Sequence, residues 1–338
     1  MNAPDQSLPQ RTVSIVVPAC NEQGNLRKLY AELESALSPH VTSWELVFVD
    51  DGSTDDTWKE IRSLHQQDGR VHGIRLSRNF GHQDALVAGM THACGDAVIT
   101  MDADLQHPPH LIPLLIAEWR KGSKIVKTVR REAPDLSAFK RLTSRLYYRL
   151  FSYLSGVNLE SGMADFRLLD REVLQQILAF KEEGLFLRGI VQWVGYPSST
   201  VDFECGSRFS GTTKYTLPRM MRFAWHGISS FSLVPLRLGI LLGLSASALA
   251  FFGVMFAILT KYLDTEAAKG WASSVAIISF LFGMLFIFLA VLAEYVGRIL
   301  IEVRERPRFI VSENLDANPT AAGSSSPSVV KPIVAVDR

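Results

Sequence analysis

Two aspartates one residue apart, Asp102 and Asp104, follow the apolar run Ala97–Thr100 in the stretch "AVITMDADLQHPP". Carboxylates this close repel one another, so their pairing points to a cation between them. In a turn after a strand, residues i and i+2 can both face one ion. Mg²⁺ in particular is shared between one or two carboxylates and the phosphates of a substrate. Ala103 keeps such a turn small. A DxD alone is a weak signal, because surface turns are rich in aspartate; its weight depends on what stands beside it.

The elements that must position this turn are legible upstream. The runs Val13–Val17, Glu45–Asp50, Val71–Leu76 and Ala97–Asp102 are β-rich and short, and read as strands. The stretches 25–37, 57–67, 82–94 and 110–120 have helical spacing and lie between and after them. Such alternation predicts a mostly parallel sheet with helices on both faces. Ligands in these sheets bind at the carboxyl ends of the strands. Four polar clusters, "PACNE" (18–22), "DDGSTDD" (50–56), "SRNFGH" (77–82) and "DADLQ" (102–106), fall at those ends.

The composition changes downstream. Gly239–Thr260 and Ser274–Ala293 carry no charged residue, and a hydrocarbon core of about 30 Å needs about 20 apolar residues as helix. Two spans joined by the short link 261–273 make a hairpin over about 236–300. Arg219, Arg222 and Arg237 precede the first span, and Arg298, Arg304, Arg306 and Arg308 follow the second. The positive-inside rule places both flanks, and so the large N-terminal domain and both termini, in the cytoplasm. Residues 216–235 read as an interfacial amphipathic segment. Residues 1–11, and the chain after about 314 within a cytoplasmic tail 301–338, are expected to be disordered. "MNAPDQSLPQRT" lacks the apolar core of a secretory signal. With 35 basic and 34 acidic residues, the net charge of +1 gives no reason to expect nucleic acid. Cys20, Cys94 and Cys205 form no CxxC pair, which suggests neither a zinc site nor a disulfide framework.

Taken in order, "VSIVVPACNE", "VFVDDGSTDDT", "LSRNFGHQDALVAGMTHACGD" and "MDADLQHPP" resemble the family 2 glycosyltransferases of the GT-A fold. "ADFRLLDR", "SRFSGTTKY" and "AEYVGRILIEVRERPRFIV" narrow the resemblance to the polyprenyl-phosphate glycosyltransferases, near the bactoprenol glucosyltransferase and dolichyl-phosphate mannose synthase group. It covers about residues 12–312. The implied fold is α/β: a GT-A, Rossmann-like, mostly parallel sheet in a catalytic domain at 12–215, followed by the interfacial segment and the hairpin.

The resemblance implies transfer of one sugar, with inversion, from a nucleotide-sugar to polyprenyl phosphate at an inner membrane. UDP-glucose or a related UDP-hexose is the expected donor and Mg²⁺ or Mn²⁺ the cofactor. Donor contacts would be Pro18, Ala19, Asn21, Glu22, Asp50, Asp51, Arg78, Asn79, Gly81, Ala103 and Gln106, with Asp102 and Asp104 holding the metal against the diphosphate. Asp165 matches a family position for base or orienting work. Arg208 and Lys214 would hold the acceptor phosphate, with Arg130 and Arg131 as further candidates. Tetramers among relatives allow a homo-oligomer. Gln192 and Trp193 are adjacent, so the Gln-x-x-Arg-Trp motif of processive synthases is absent, and Trp193 is read as core or interface packing. Two other readings stay open: transfer to a lipid hydroxyl, and a silent membrane scaffold that binds a nucleotide-sugar.

Overall fold

The structure is a computed structural model. It describes residues 11–130 except 42, residues 163–203 except 181 and 183–185, parts of 236–255, and residues 270–316. The chain divides into two compact units. One comprises residues 1–121, 166–174 and 309–338; the other comprises 122–165 and 175–308.

In the first unit, β1 (Val13–Ala19), β2 (Trp44–Asp50), β3 (Val71–Leu76) and β4 (Ala97–Thr100) pair in parallel in the order β4-β1-β2-β3. The continuous burial of β1 and β4, and of nearly all of β2, is what a parallel sheet covered by helices requires. α1 (Leu26–Leu37), α2 (Thr57–Gln67), α3 (His82–His92) and α4 (Ile112–Arg120) follow the successive strands. On α1 the buried residues Leu26, Leu29, Leu33 and Leu37 fall on one face. Each such leucine contributes roughly 1.5–3 kcal/mol relative to exposure. This is the α/β, Rossmann-like sheet the sequence predicts. Its strand order reverses between β1 and β4, where open α/β sheets bind ligands.

β6 (Met163–Asp170) lies antiparallel beside β4, with Asp170 accepting a 2.8 Å bond from Trp119 Nε1. The strand expected to reach Asp102 ends at Thr100. Met101 N donates to Val16 O, and Asp102 N turns away from the sheet to His107 Nδ1.

After residue 308 the described chain returns to the first unit's sheet. Residues 311–314, expected within a tail, form strand β8 (Val311–Asn314), antiparallel to β3 at the sheet edge. Glu313 accepts bonds from Trp58 Nε1 at 3.0 Å and Arg62 Nη2 at 2.7 Å, and Leu315 N donates to Gly73 O.

In the second unit, β5 (Ile125–Arg130) pairs in parallel with β7 (Ser198–Phe203). α5 (Arg171–Ala179) crosses from one unit to the other, and α6 (Leu187–Trp193) buries Leu187, Ile190 and Val191. α7 (Trp271–Val303) contains the expected second span and continues past it. Its segment Phe280–Val303, 24 residues, is the one helix among the described residues long and apolar enough to cross a membrane. At 1.5 Å per residue it reaches about 36 Å. Of the first span, a shorter apolar helix, Gly239–Gly253, is partly described. Gly239 is buried where any Cβ would stand 2.5 Å from Phe288 Cδ2, so this helix touches α7. The interfacial segment 216–235 lies outside the described residues.

Candidate active site

Three loops of the first unit are stitched into one surface by hydrogen bonds. Asn21, at the end of β1, has φ 57°. Its N donates to Ser53 Oγ, and its Oδ1 accepts from Thr54 N at 2.9 Å. Glu22 N donates to Thr57 Oγ1. The loop after β3 joins both neighbours: Asn79 Nδ2 donates to Cys20 Sγ at 3.2 Å, while Phe80 N and Gly81 N donate to the two oxygens of Asp51 at 2.7 and 3.0 Å.

Asp50 and Asp51 are both buried. Asp50 Oδ1 closes its own turn by accepting from Ser53 N at 2.9 Å. Its Oδ2 lies 3.2 Å from Arg75 Nε, close enough for an ion pair although the angle does not make a hydrogen bond. Asp51 thus commits both oxygens to the 80–81 backbone, while Asp50 commits Oδ1 to its own turn and leaves Oδ2 without a hydrogen bond. The side chains of Pro18 and Ala19, expected on the loop, are instead buried in the last two positions of β1, and Ala19 O accepts from Asp51 N. Arg78 is exposed, with its guanidinium 4.1 Å from the Phe80 ring centroid.

The fourth loop carries Asp102 and Asp104. Leu105 has φ 61°, a conformation that is costly for a branched side chain and held here by its surroundings. Gln106 clasps Asp104, with N donating to Oδ1 at 3.1 Å and Nε2 to Oδ2 at 2.7 Å. Ala103 is buried beneath the turn. Asp102 Oδ1 is buried without a hydrogen bond, its nearest basic neighbour being His82 Nε2 at 3.4 Å. Burial pushes the Glu22 carboxyl above its usual range; Asn25 opposes this, and the charges of Asp104 and Asp102 add to it. The Glu22 carboxyl therefore stands within electrostatic reach of both aspartates.

Two histidines that sequence reasoning passed over flank Asp102. His107 is buried, stacks on Phe166 with ring centroids 5.3 Å apart, and accepts the Asp102 N–H at Nδ1. A nitrogen that accepts carries no proton, so the 3.6 Å approach of this Nδ1 to Asp102 Oδ2 is not an ion pair. The signal was present as the histidine of "DADLQHPP". His107→Phe keeps the stack and orphans the Asp102 N–H, a cost of about 1–3 kcal/mol. The expected outcome is a melting temperature lowered by several degrees, with a fall in kcat/KM as the Asp102 turn shifts. His107→Asn, which restores an acceptor near Nδ1, should lie closer to wild type; equal activity of the two variants would refute the role.

In the second unit, Asp165 is buried and paired side-on with Arg188, Oδ1 to Nε at 3.1 Å and Oδ2 to Nη2 at 2.7 Å. Arg188 carried no signal beyond its basic type. Arg130 stands exposed at the end of β5. Arg131, Arg208 and Lys214 lie outside the described residues.

Among the described residues, no three His, Cys, Asp or Glu side chains converge closely enough to hold a metal by themselves. The residues fit an ion whose shell a substrate completes. Asp102 Oδ1 lacks a hydrogen-bond donor, Asp104 is oriented by Gln106, and a divalent cation would offset the negative charge these neighbouring carboxylates gather.

Comparison with known proteins places the chain. The family model "Glycosyl transferase family 2" matches residues 14–178. An uncharacterised glycosyltransferase of Bacillus subtilis (strain 168) is 36% identical over 301 residues, covering 89% of this chain and 93% of its own. A bactoprenol glucosyl transferase of Shigella phage SfII is 36% identical over 307 residues, covering 91% and 99%. Among solved structures, glucosyl-3-phosphoglycerate synthase from Mycobacterium tuberculosis, in complex with Mn²⁺, UDP and phosphoglyceric acid, aligns with a TM-score of 0.43 at 20% identity over 64% of this chain and 76% of that one. The chain belongs to glycosyl transferase family 2 and is a glycosyltransferase.

Proposed function

We propose that the enzyme transfers one sugar, with inversion, from a UDP-hexose to polyprenyl phosphate at the cytoplasmic face of a membrane. The observation that carries this reading is the 36% identity to a bactoprenol glucosyl transferase across nearly the whole of both chains, apolar segments included. In this reading residues 12–215 are the catalytic domain, and the hairpin 236–300 brings it to the lipid.

Asp102 and Asp104 would hold Mg²⁺ or Mn²⁺, which when bound neutralises the diphosphate leaving group as a Lewis acid and template. Asn21, Glu22, Arg78, Asn79 and Gly81 face or frame the donor from the neighbouring loops. Asp50 and Asp51 would be donor contacts, Asp50 through the Oδ2 that makes no hydrogen bond and Asp51 beside the loop it ties. Arg208 and Lys214, with Arg130 and Arg131, would receive the acceptor phosphate.

The Asp165–Arg188 pair favours a phosphate acceptor over a hydroxyl. A carboxylate committed side-on to a guanidinium is a poor proton acceptor. A phosphate monoester, with its second pKa of about 6, is largely dianionic at neutral pH and does not need one.

The test is mass spectrometry of lipid products after incubation with a panel of UDP- and GDP-sugars, offering polyprenyl phosphate and diacylglycerol together. The expected product is a hexosyl polyprenyl phosphate from a UDP-sugar. Sugar on diacylglycerol alone would overturn the assignment. Reporter fusions at Asn318 and within 261–272 should read opposite sides of the membrane; a tail outside the cytoplasm would refute the hairpin.

A further inference from the structure

Trp193 is the residue that neither the fold nor the proposed reaction accounts for. It ends α6, whose Leu187, Ile190 and Val191 are buried, yet it is itself 64% exposed. It is therefore not a core residue, one of the two roles its sequence context suggests. A tryptophan offers a large apolar body and one N–H donor, and leaving it in water wastes most of its burial energy.

Its surroundings indicate what covers it. The Trp193 ring meets Phe180 edge to face at 5.7 Å. Phe180 O accepts a bond from the Arg308 side chain, just beyond the end of α7. Two residues on, protein crowds the partly solvated Glu182 and raises its carboxyl; the charge of Glu302, in the last turn of α7, raises it further, and Arg308 opposes. Phe180, Glu182 and Trp193 are thus gathered beside the C-terminal end of α7. There the helix mixes Glu294, Arg298 and Glu302 with outward-facing Val296, Ile299, Leu300 and Val303. Arg304 and Arg306 follow, exposed. Apolar side chains interleaved with charges, closed by arginines, are the composition of a membrane–water boundary, the level at which tryptophan concentrates.

We propose that Trp193 inserts into the headgroup layer of the bilayer that α7 enters, fixing the second unit against the membrane surface at a point separate from the apolar helices. The inference rests on the membrane reading of α7. The placing of the Phe180–Trp193 pair beside Arg308, where the apolar helix gives way to charge, favours lipid over a second copy of the chain.

The test uses the full chain in lipid nanodiscs, comparing the tryptophan fluorescence of wild type and W193F to isolate the Trp193 emission. Lipids carry bromine either near the glycerol end of the chains or at their midpoint. F286W supplies a reference on α7, where Phe286 is 65% exposed. The expected result is loss of most Trp193 emission with shallow bromine and little loss with deep bromine, while the emission gained in F286W is lost with deep bromine. If F286W is quenched and Trp193 by neither lipid, the proposal is overturned: red-shifted emission then means water, and blue-shifted emission means cover by protein. If F286W also escapes quenching, the membrane reading falls and the proposal with it.

Discussion

Asp104→Asn is expected to lose turnover by about a hundred- to a thousand-fold while keeping its melting temperature. The two halves of that expectation have separate causes. The asparagine amide would still offer one oxygen to Gln106 N, and the position is only half-buried, so the turn retains its packing. The formal charge proposed to hold the metal against the donor's diphosphate is what disappears. Asp102→Asn should act in the same direction, because Asp102 Oδ1 has no hydrogen bond to lose. In wild type, a chelator should abolish turnover and added Mg²⁺ or Mn²⁺ restore it. The assay is hexose transfer to lipid, with calorimetric unfolding as the control. Full activity in excess chelator would end the metal reading.

Gly52→Ala should cost stability and donor binding together. Gly52 has φ 65°, and a Cβ there would stand 2.5 Å from Arg78 C and Asn79 N. Both are backbone atoms, so the contact cannot be relieved by rotating a side chain. Left-handed backbone costs a β-carbon about 1–2 kcal/mol, and overpacking roughly 1–3 kcal/mol more. The loop 78–81 must move, and with it the Phe80 and Gly81 N–H groups that Asp51 holds. The expected readouts are a melting point lowered by several degrees and a nucleotide-sugar Kd raised at least tenfold by calorimetry. An unchanged Kd would show that this loop does not frame the donor.

The parts of the molecule visible in the sequence are those governed by local pattern. α2 has the bounds its periodicity predicts, 57–67, and β3 those of its apolar run, 71–76. Alternation of strand and helix patterns is enough to put the four loops at the strand ends. What escapes the sequence depends on contacts remote along the chain. β8 is four residues long and acquires its meaning only from β3, more than two hundred positions earlier. Asp50 and Asp51 have the types expected of ligand contacts, and only tertiary structure shows that three of their four oxygens also brace the loops, through Ser53, Phe80 and Gly81. Arg188 cannot be paired with Asp165 without knowing that α6 passes β6. His107 stands inside the aspartate motif itself, yet its role depends on a backbone N–H and on Phe166.

The strand β8 also sets an order of events during synthesis. Ser312 bonds to the carbonyl of Arg75, 237 residues upstream. Both long uncharged segments of the chain lie between these partners. At about 5–20 residues per second, a ribosome takes roughly 10–50 s to cover that distance. Until then the edge of β3, which leads directly into the loop at 77–81, lacks its neighbour. The sheet is completed only after both uncharged segments have been synthesised; in the membrane reading proposed above, the finished enzyme then arises already beside the bilayer.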